Sequence, residues 1–484
     1  IMGHTLPNTA TTGTIWSAID KFGIVIMQFI INLVLARLLA PDDFGLVGMI
    51  LIIVIISNTL TDGGFGAALI QKSKPNEADF STAFYINIAT ALLLYIIIYF
   101  TAPIVATFLG ATELVDILRV LSLVFVINSF GLVPKVKLRR LIAFKQIAIS
   151  NIIAYILASA TAIFLAQNGF GAWGLVAMHI VNSLLSNIFI SIAAHWHPSF
   201  TFSTKSLKEL FAYGEYMLIS DILANVCFNI QNTLIGKYFS PYTAGQYAQA
   251  KKMEEVACTT LPIAMSQVLF PVFSSLQHNK EAIIEKLRLS IKMISFIIFP
   301  LMALLIVIAK PLILFMFGAK WIDSVIYFQV LCIGGFLYPM QSFNYHAVAA
   351  VGKSKELFYV GVFKSFFLIA SLLISVHINM NAVLIAMVLS NVVNCLANSI
   401  ITERYIGYKV TRQFLDVLPI LVLSLIIGSA LYFTQFLCNI HWILLVVIYI
   451  ISYITINYIT KSDILLMAFE YVQKLKHTNP SNVR

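Results

Sequence analysis

The sequence predicts an all-α integral membrane protein with about fourteen transmembrane helices, built as two parallel six-helix repeats plus two C-terminal helices. Its composition is the first observation: 60% of the 484 residues are hydrophobic and only 11% are charged, against about 25% charged in soluble proteins. Apolar runs of about 20 residues, the length needed to cross a bilayer, are the second. An internal sequence repeat is the third.

The repeat joins the two halves of the chain. The segment 32–45 returns without a gap as 232–245, with Asn32/Asn232, Pro41/Pro241 and Gly45/Gly245 identical. A second pair, 103–110 and 311–318, lies at nearly the same offset, which argues against coincidence. Duplicated membrane chains are typical of transporters, whose sites lie where the repeats meet.

Pro, Gly and charge clusters divide the apolar runs into candidate spans. The predicted spans are 14–39, 44–71, 80–103, 114–134, 146–168, 172–194, 208–236, 242–273, 283–309, 325–351, 355–377, 382–403, 413–436 and 441–460. Charged amphipathic segments at 203–211 and 279–288 predict interfacial helices between spans. The domain prediction is an N-terminal tail (1–13), two six-helix lobes (14–200 and 201–405), the last two helices (406–460) and a cytoplasmic tail (461–484).

Charge placement gives the orientation. Because each repeat has an even number of spans, both enter the membrane from the same side and are parallel. Most of the 31 Lys and Arg residues lie in even-numbered loops and the C-terminal tail, which predicts that both termini are cytoplasmic. The net charge of +10 is explained by this topology, so no nucleic-acid partner is expected.

Polar side chains recur at helical spacing inside several spans, where lipid exposure would be costly. Gln28 in the first span and Asn182 and Ser186 in the sixth belong to such stripes. The stripes predict a hydrogen-bonding cavity, although asparagines that only tie helices together remain an alternative. The predicted substrate-contacting amides are Asn32, Asn225, Asn229, Asn232, Asn391 and Asn394.

Ionisable residues within spans are the sharper candidates. Lys21, Lys251, Lys252 and Lys364 are predicted to hold phosphate, because ammonium groups act there as point charges. Glutamates one turn from the Lys251–Lys252 pair leave structural ion pairing as the alternative. The predicted ion-coupling residues, for Na⁺ or H⁺, are Asp20, Asp62 and Asp221, and the alternative is that membrane potential alone drives transport. Since Walker loops, zinc spacings and nucleophile elbows do not occur, no enzyme activity and no cofactor are predicted.

Several longer motifs resemble those of a known family. They are Leu35-Ala-Arg-Leu-Leu-Ala-Pro-Asp-Asp-Phe-Gly-Leu46, Asp62-Gly-Gly-Phe-Gly-Ala-Ala-Leu-Ile-Gln71, Gly171-Ala-Trp-Gly-Leu-Val176 and Ile235-Gly-Lys-Tyr-Phe-Ser-Pro241. They resemble bacterial polysaccharide flippases of the Wzx/WzxC-like branch of the multidrug/oligosaccharidyl-lipid/polysaccharide (MOP) exporter superfamily. The likeness runs from about Thr11 to Thr434. It implies the MATE-like fold of this superfamily.

The resemblance implies alternating access across a bacterial inner membrane. The expected substrate is an undecaprenyl-diphosphate-linked oligosaccharide for O-antigen, lipopolysaccharide or exopolysaccharide synthesis, and the expected partners are membrane lipids and a polysaccharide polymerase. Where the family has Arg after the Gly-x-Tyr motif, this chain has Ala248, so the Lys251–Lys252 pair would replace that charge. A cation-coupled multidrug exporter and a lipid II flippase of the same superfamily are the alternatives.

Overall fold

The computed structural model describes residues 6–438, 441–462 and 464–465; the side chains of the first helix are described at Trp16 and from Gly23 onward. These residues form seventeen α-helices and one short 3-10 helix, with no strand among them. The helices are α1 (Leu6–Leu38), α2 (Pro41–Asp62), α3 (Phe65–Gln71), α4 (Glu77–Leu109), α5 (Leu114–Leu121), α6 (Leu123–Arg140), α7 (Phe144–Gln167), α8 (Ala172–Ala194), α9 (Thr204–Tyr238), α10 (Pro241–Ser275), α11 (Lys280–Phe317), α12 (Ser324–Gly335), α13 (Tyr338–Ala350), α14 (Ser354–Ser375), α15 (Met380–Ile406), α16 (Val410–Cys438) and α17 (Trp442–Ile459).

The all-α membrane architecture is confirmed. Within the described residues, twelve helical segments are long and apolar enough to cross a membrane, and the pair α12–α13, bent by 41°, makes a thirteenth if its two helices form one span. The remaining predicted span corresponds to α1, whose described apolar part is Gly23–Leu38. This helix begins at Leu6, inside the predicted tail of residues 1–13.

The segments 203–211 and 279–288, predicted as interfacial helices between spans, are not separate helices. Both segments are the first turns of long continuous helices, α9 and α11. Ser203 and Asn279 cap these helices by accepting a hydrogen bond from a backbone N–H three residues on, so each helix nucleates at that point and continues into the apolar run.

The sequence repeat reappears in the helix boundaries. Pro41 and Pro241 begin α2 and α10, since proline is well tolerated at the first helical position. The long helices α4 and α11 each contain a proline near their end and stop at a glycine with positive φ, Gly110 (74°) and Gly318 (93°). The segment that follows is broken in both repeats, as α5–α6 and as α12–α13.

The chain groups into two compact units, Ile1–Ala248 and Gln249–Arg484. This division lies within α10, whereas the predicted lobe boundary at 200/201 lies in the loop between α8 and α9. The last residues of the predicted cytoplasmic tail, from 466 onward, lie outside the described part of the chain.

In the first unit, charged side chains tie the ends of several helices together. Lys72, which follows α3, lies 2.9 Å from both Asp79 on α4 and Glu209 on α9. Lys137 on α6 pairs with Glu77 at 2.7 Å, and Trp196 donates a hydrogen bond to the same carboxylate. These contacts join the C-terminal ends of α3 and α6 to the N-terminal ends of α4 and α9, so a network rather than isolated pairs holds this side of the bundle.

In the second unit, α16 and α17 are bound to α11. Asp416 on α16 is 8% exposed, accepts a 2.7 Å hydrogen bond from Arg288 and lies 3.6 Å from Lys292. Tyr408 donates to the same carboxylate at 2.7 Å, and Tyr453 on α17 donates to the carbonyl of Phe296. The two helices outside the repeat are therefore fixed to it through buried polar contacts.

Candidate functional site

A cavity of about 430 Å³ lies within the first unit, among α1, α2, α4, α6, α7 and α8. Its size falls within the range of small-molecule sites, about 300–1,000 Å³. Its polar lining residues are Gln28, Asn58, Thr61, Asp62, Asn87, Asn128, Ser129, Lys135, Asn151, Tyr155, Asn182, Ser183, Ser186 and Asn187. Since carboxamides dominate this list, the cavity presents both hydrogen-bond donors and acceptors.

Three asparagines form a hydrogen-bonded chain across one wall. Asn187 on α8 donates to Asn128 on α6 at 2.9 Å, and Asn128 donates to Asn58 on α2 at 3.0 Å. The neighbouring residue on α8, Ser186, donates to Asn151 of α7 at 2.7 Å. These bonds fix the orientation of the amides, so that their remaining donors and acceptors are held in place.

A glycine allows the amide chain to form. Gly131 lies one turn from Asn128 on α6, and a Cβ there would overlap the carboxamide oxygen of Asn187. On α8, Asn182, Ser186 and Ile190 are four residues apart and line the same cavity, as helical spacing requires. The absence of a side chain at Gly131 on α6 thus leaves room for the Asn187 carboxamide of α8.

Two polar side chains in the cavity wall have no hydrogen-bond partner within the described structure. Both amide atoms of Asn87 are unpaired, and its side chain is 1% exposed. The hydroxyl of Thr61 is likewise unpaired at 3% exposure. Such groups are rare, because each costs about 1–3 kcal/mol when nothing satisfies it.

The cavity carries one acidic and one basic side chain. Asp62, predicted to couple an ion, ends α2, and its Oδ1 accepts a hydrogen bond from the backbone N–H of Gly66 at 3.0 Å. Gly63 and Gly64, both with positive φ, make the turn that brings α3 back to this carboxylate. Lys135 on α6 is the basic lining residue. With one of each sign, the site is close to neutral.

The predicted amides of the first unit lie outside the cavity wall. Asn225 on α9 donates to Thr59 on α2 at 2.9 Å, and Asn229 donates to the carbonyl of Asn225. Asn232 lies against Gly48, with its Oδ1 buried and unpaired among the described residues. Asn32 is half-buried on α1.

Three predicted ionisable residues lie on α1 and α9. Asp221 is exposed on α9. Asp20 and Lys21 lie on α1, but their side chains lie outside the described residues.

In the second unit, the predicted lysines contact their own helices or neighbours. Lys251 lies 3.1 Å from Glu254 and 3.9 Å from Glu255, which is the ion pairing that the sequence left as an alternative. Lys364 on α14 donates to Asn398 on α15 at 3.0 Å. Lys252 is half-buried on α10.

The predicted amides of α15 are half-buried. The side chain of Asn391 lies close to Gly334 on α12, and its backbone carbonyl accepts a hydrogen bond from Gln341 on α13. Asn394 follows one turn later on the same helix.

Reasoning from sequence found part of the cavity and missed part. Gln28, Asn182 and Ser186 were recognised because each belongs to a polar stripe. Asn87, Asn128 and Asn151 were missed, because each is one of few amides in an otherwise apolar helix. No group of three or more His, Cys, Asp or Glu side chains suited to a metal occurs among the described residues.

Comparison with known proteins shows what the chain is similar to. Residues 34–326 match a family model described as polysaccharide biosynthesis protein. The succinoglycan biosynthesis transport protein ExoT of Rhizobium meliloti is 28% identical over 352 residues, covering 72% of this chain and 71% of that protein. The teichuronic acid biosynthesis protein TuaB of Bacillus subtilis is 26% identical over 353 residues, 72% of each chain. The lipopolysaccharide biosynthesis protein WzxC of Escherichia coli is 22% identical over 365 residues, 75% of this chain and 74% of that protein.

Solved structures share the fold. The lipid II flippase MurJ, in an inward closed conformation, superposes with a TM-score of 0.77 at 16% identity, covering 93% of this chain and all of MurJ. An inward-facing multidrug resistance transporter of the MATE family, within the MOP superfamily, gives a TM-score of 0.58 at 17% identity, covering 83% and 98%.

Proposed function

This chain belongs to the polysaccharide biosynthesis protein family, and from that membership we propose that it flips an undecaprenyl-diphosphate-linked oligosaccharide across a bacterial inner membrane by alternating access. It is a multi-pass membrane protein of a transporter family in the MOP superfamily, and not an enzyme. The oligosaccharide would pass from the inner to the outer leaflet for surface polysaccharide synthesis.

The observation that carries this proposal is the amide-lined cavity inside a membrane-spanning bundle. Polar groups at membrane depth are costly and are kept where they serve a polar substrate. Sugar hydroxyls donate and accept hydrogen bonds, as do the carboxamides of Asn58, Asn128 and Asn187. A lipid-soluble or cationic drug has too few hydrogen-bonding groups to pair with so many neutral donors and acceptors.

The diphosphate requires positive charge, and the lysines proposed for it are Lys21, Lys251, Lys252 and Lys364. Phosphate oxygens would compete with the present partners of Lys251 and Lys364, because charge-assisted hydrogen bonds to phosphate are strong. The proposed sugar-contacting amides outside the cavity are Asn32, Asn225, Asn229, Asn232, Asn391 and Asn394. Coupling to Na⁺ or H⁺ is assigned to Asp20, Asp62 and Asp221.

The orientation and partners are also part of the proposal. The bias of Lys and Arg toward even-numbered loops supports cytoplasmic termini. On the outer side, the delivered substrate would be consumed by a polysaccharide polymerase.

A reconstituted system tests the function. Purified protein in liposomes that hold the lipid-linked oligosaccharide in one leaflet is expected to move it to the other, as followed by an impermeant sugar-modifying reagent. The Lys251→Gln/Lys252→Gln double variant should slow this transfer at least tenfold, while Lys355→Gln, at an exposed position, should not.

The alternatives predict other outcomes in the same liposomes. Transfer of lipid II but not of the oligosaccharide would replace the proposal with the lipid II alternative. Cation-driven drug efflux without transfer of either lipid would replace it with the multidrug alternative. Normal transfer by a well-folded Lys251→Gln/Lys252→Gln protein would remove these two lysines from the site.

A further inference from the structure

Asn87 on α4 is a buried carboxamide whose two polar atoms both lack a partner in the described structure. It is 1% exposed and is one of the residues that line the cavity of the first unit. Leaving both atoms unsatisfied would cost several times the value of an ordinary hydrogen bond. A ligand that occupies this part of the cavity and leaves neither atom unpaired must therefore supply a donor and an acceptor to the same side chain.

This requirement separates the possible ligands by chemistry. Diphosphate and carboxylate groups offer acceptors, so they would satisfy Nδ2 and leave Oδ1 unpaired. A cation such as Na⁺ would satisfy Oδ1 and leave Nδ2 unpaired. The acetamido group of an amino sugar is a trans amide, whose N–H and C=O point in opposite directions, so it reaches only one atom of the pair.

Two adjacent hydroxyls on one sugar ring meet the requirement. One hydroxyl donates to Oδ1 and its neighbour accepts from Nδ2, because each hydroxyl carries a donor and two acceptor lone pairs. Both hydroxyls would approach from the cavity, because Asn87 is otherwise buried.

The rest of the cavity suits the same ring. Thr61, 3% exposed and also unpaired among the described residues, offers one more hydroxyl. The chain of Asn58, Asn128 and Asn187 holds further amides in fixed orientations. At about 430 Å³, the cavity is close to the lower end of ligand sites, so it suits one or two rings and not a whole oligosaccharide.

We propose that Asn87 and Thr61 form, within the first unit, a binding site for the vicinal diol of one uncharged sugar ring. The role of this site in transport rests on the proposed function, of which it would be the sugar-selective part. It is separate from the lysines assigned to the diphosphate.

Two small isomers test the diol requirement directly. Trans-1,2-cyclohexanediol and trans-1,4-cyclohexanediol have the same formula and differ in whether the hydroxyls are adjacent. Binding of each to the purified full-length protein is measured by ligand-observed saturation-transfer NMR, with glucose and inorganic diphosphate as competitors. The 1,2 isomer is expected to bind about tenfold more tightly, the value of one additional hydrogen bond.

Substitutions assign the preference to the site. Asn87→Leu should bring the ratio of the two isomers to about one, and Thr61→Val should reduce it while preserving the shape of the side chain. Asn168→Leu, the same change at an exposed loop position, should leave the ratio unchanged. Melting curves confirm folding, and Thr61→Val carries the test if Asn87→Leu fails to fold.

The outcomes separate this proposal from the function. Glucose should displace the 1,2 isomer and diphosphate should not. Equal binding of the two isomers by the unaltered protein, or a preference that survives Asn87→Leu, overturns the diol site even if the liposome assay shows oligosaccharide transfer. A diol preference without transfer leaves the site in place and removes the proposed function.

Discussion

Gly45→Ala is expected to destabilise the protein by opening a crossing between α2 and α10. A Cβ on Gly45 would overlap the backbone carbonyl of Pro241, and a Cβ on Gly245 would overlap the carbonyl of Pro41. These are the repeated Pro and Gly positions of the sequence, and each proline's carbonyl faces the glycine of the other repeat. The two helix starts therefore touch through backbone alone.

The magnitude follows from two opposing effects. Replacing a helical glycine with alanine stabilises a helix by about 1 kcal/mol. Forcing a methyl group into a filled space costs about 1–3 kcal/mol, and the upper end applies here because the opposing atoms are backbone and cannot rotate away. Gly45→Ala should therefore lose about 2 kcal/mol net. Gly361→Ala on α14, where a Cβ meets nothing within 4 Å, should gain up to about 1 kcal/mol.

Thermal and chemical unfolding of the detergent-solubilised variants measures the difference. The Gly45→Ala/Gly245→Ala double variant should lose less than the sum of the single losses, because the first methyl group already separates the helices. If Gly45→Ala melts like Gly361→Ala, or if the two losses simply add, then the backbone crossing does not hold these helices together. The liposome assay then shows whether the crossing also affects transfer.

Three further predictions concern polar contacts. Asp416→Asn should lower the free energy of unfolding by about 2 kcal/mol, because it leaves Arg288 and Lys292 without their buried counter-charge. Glu285→Gln, at an exposed position, should change this free energy little. Gly131→Ala should displace the Asn187 amide and abolish the preference for the 1,2 diol while α6 stays helical by circular dichroism; an unchanged preference would contradict the role of the amide chain. Hydrogen bonds to its carboxylate partners on α9 and α4 raise the pKa of Lys72, so the melting difference between the unaltered protein and Lys72→Gln should be constant from about pH 7 to about pH 10.4 and shrink above it; a difference that grew above about pH 10.4 would reverse this assignment.

Much of the fold was predictable from sequence. Apolar length located the spans, and the family resemblance is confirmed at the level of the polysaccharide biosynthesis family. The segments 203–211 and 279–288 were predicted as separate helices because a charged amphipathic segment has the same pattern whether it ends or continues into an apolar helix. In α9 and α11 it continues, and periodicity carries no information on that continuity.

The candidate site was only partly predictable. A polar stripe in the sequence indicates a cavity when one helix contributes several side chains to it, as α8 does with Asn182 and Ser186. The sequence gives no such indication for residues that a helix contributes singly. Asn87 is the clearest case, because a single amide in an apolar helix forms no periodic pattern. Its importance comes from its two amide atoms, which have no hydrogen-bond partner among the described residues.

The sequence by itself determined the membrane class, the duplication and the family, because each depends on composition, spacing or motif along the chain. Tertiary structure alone decided which polar residues share a cavity and which are already paired. It placed Lys251 beside two glutamates, assembled the asparagines of α2, α6 and α8 into one hydrogen-bonded wall and left Asn87 unpaired in the lining of the same cavity, among the described residues. The physical reason is that a hydrogen bond is satisfied or left open by distance and direction between helices, which no single helix encodes.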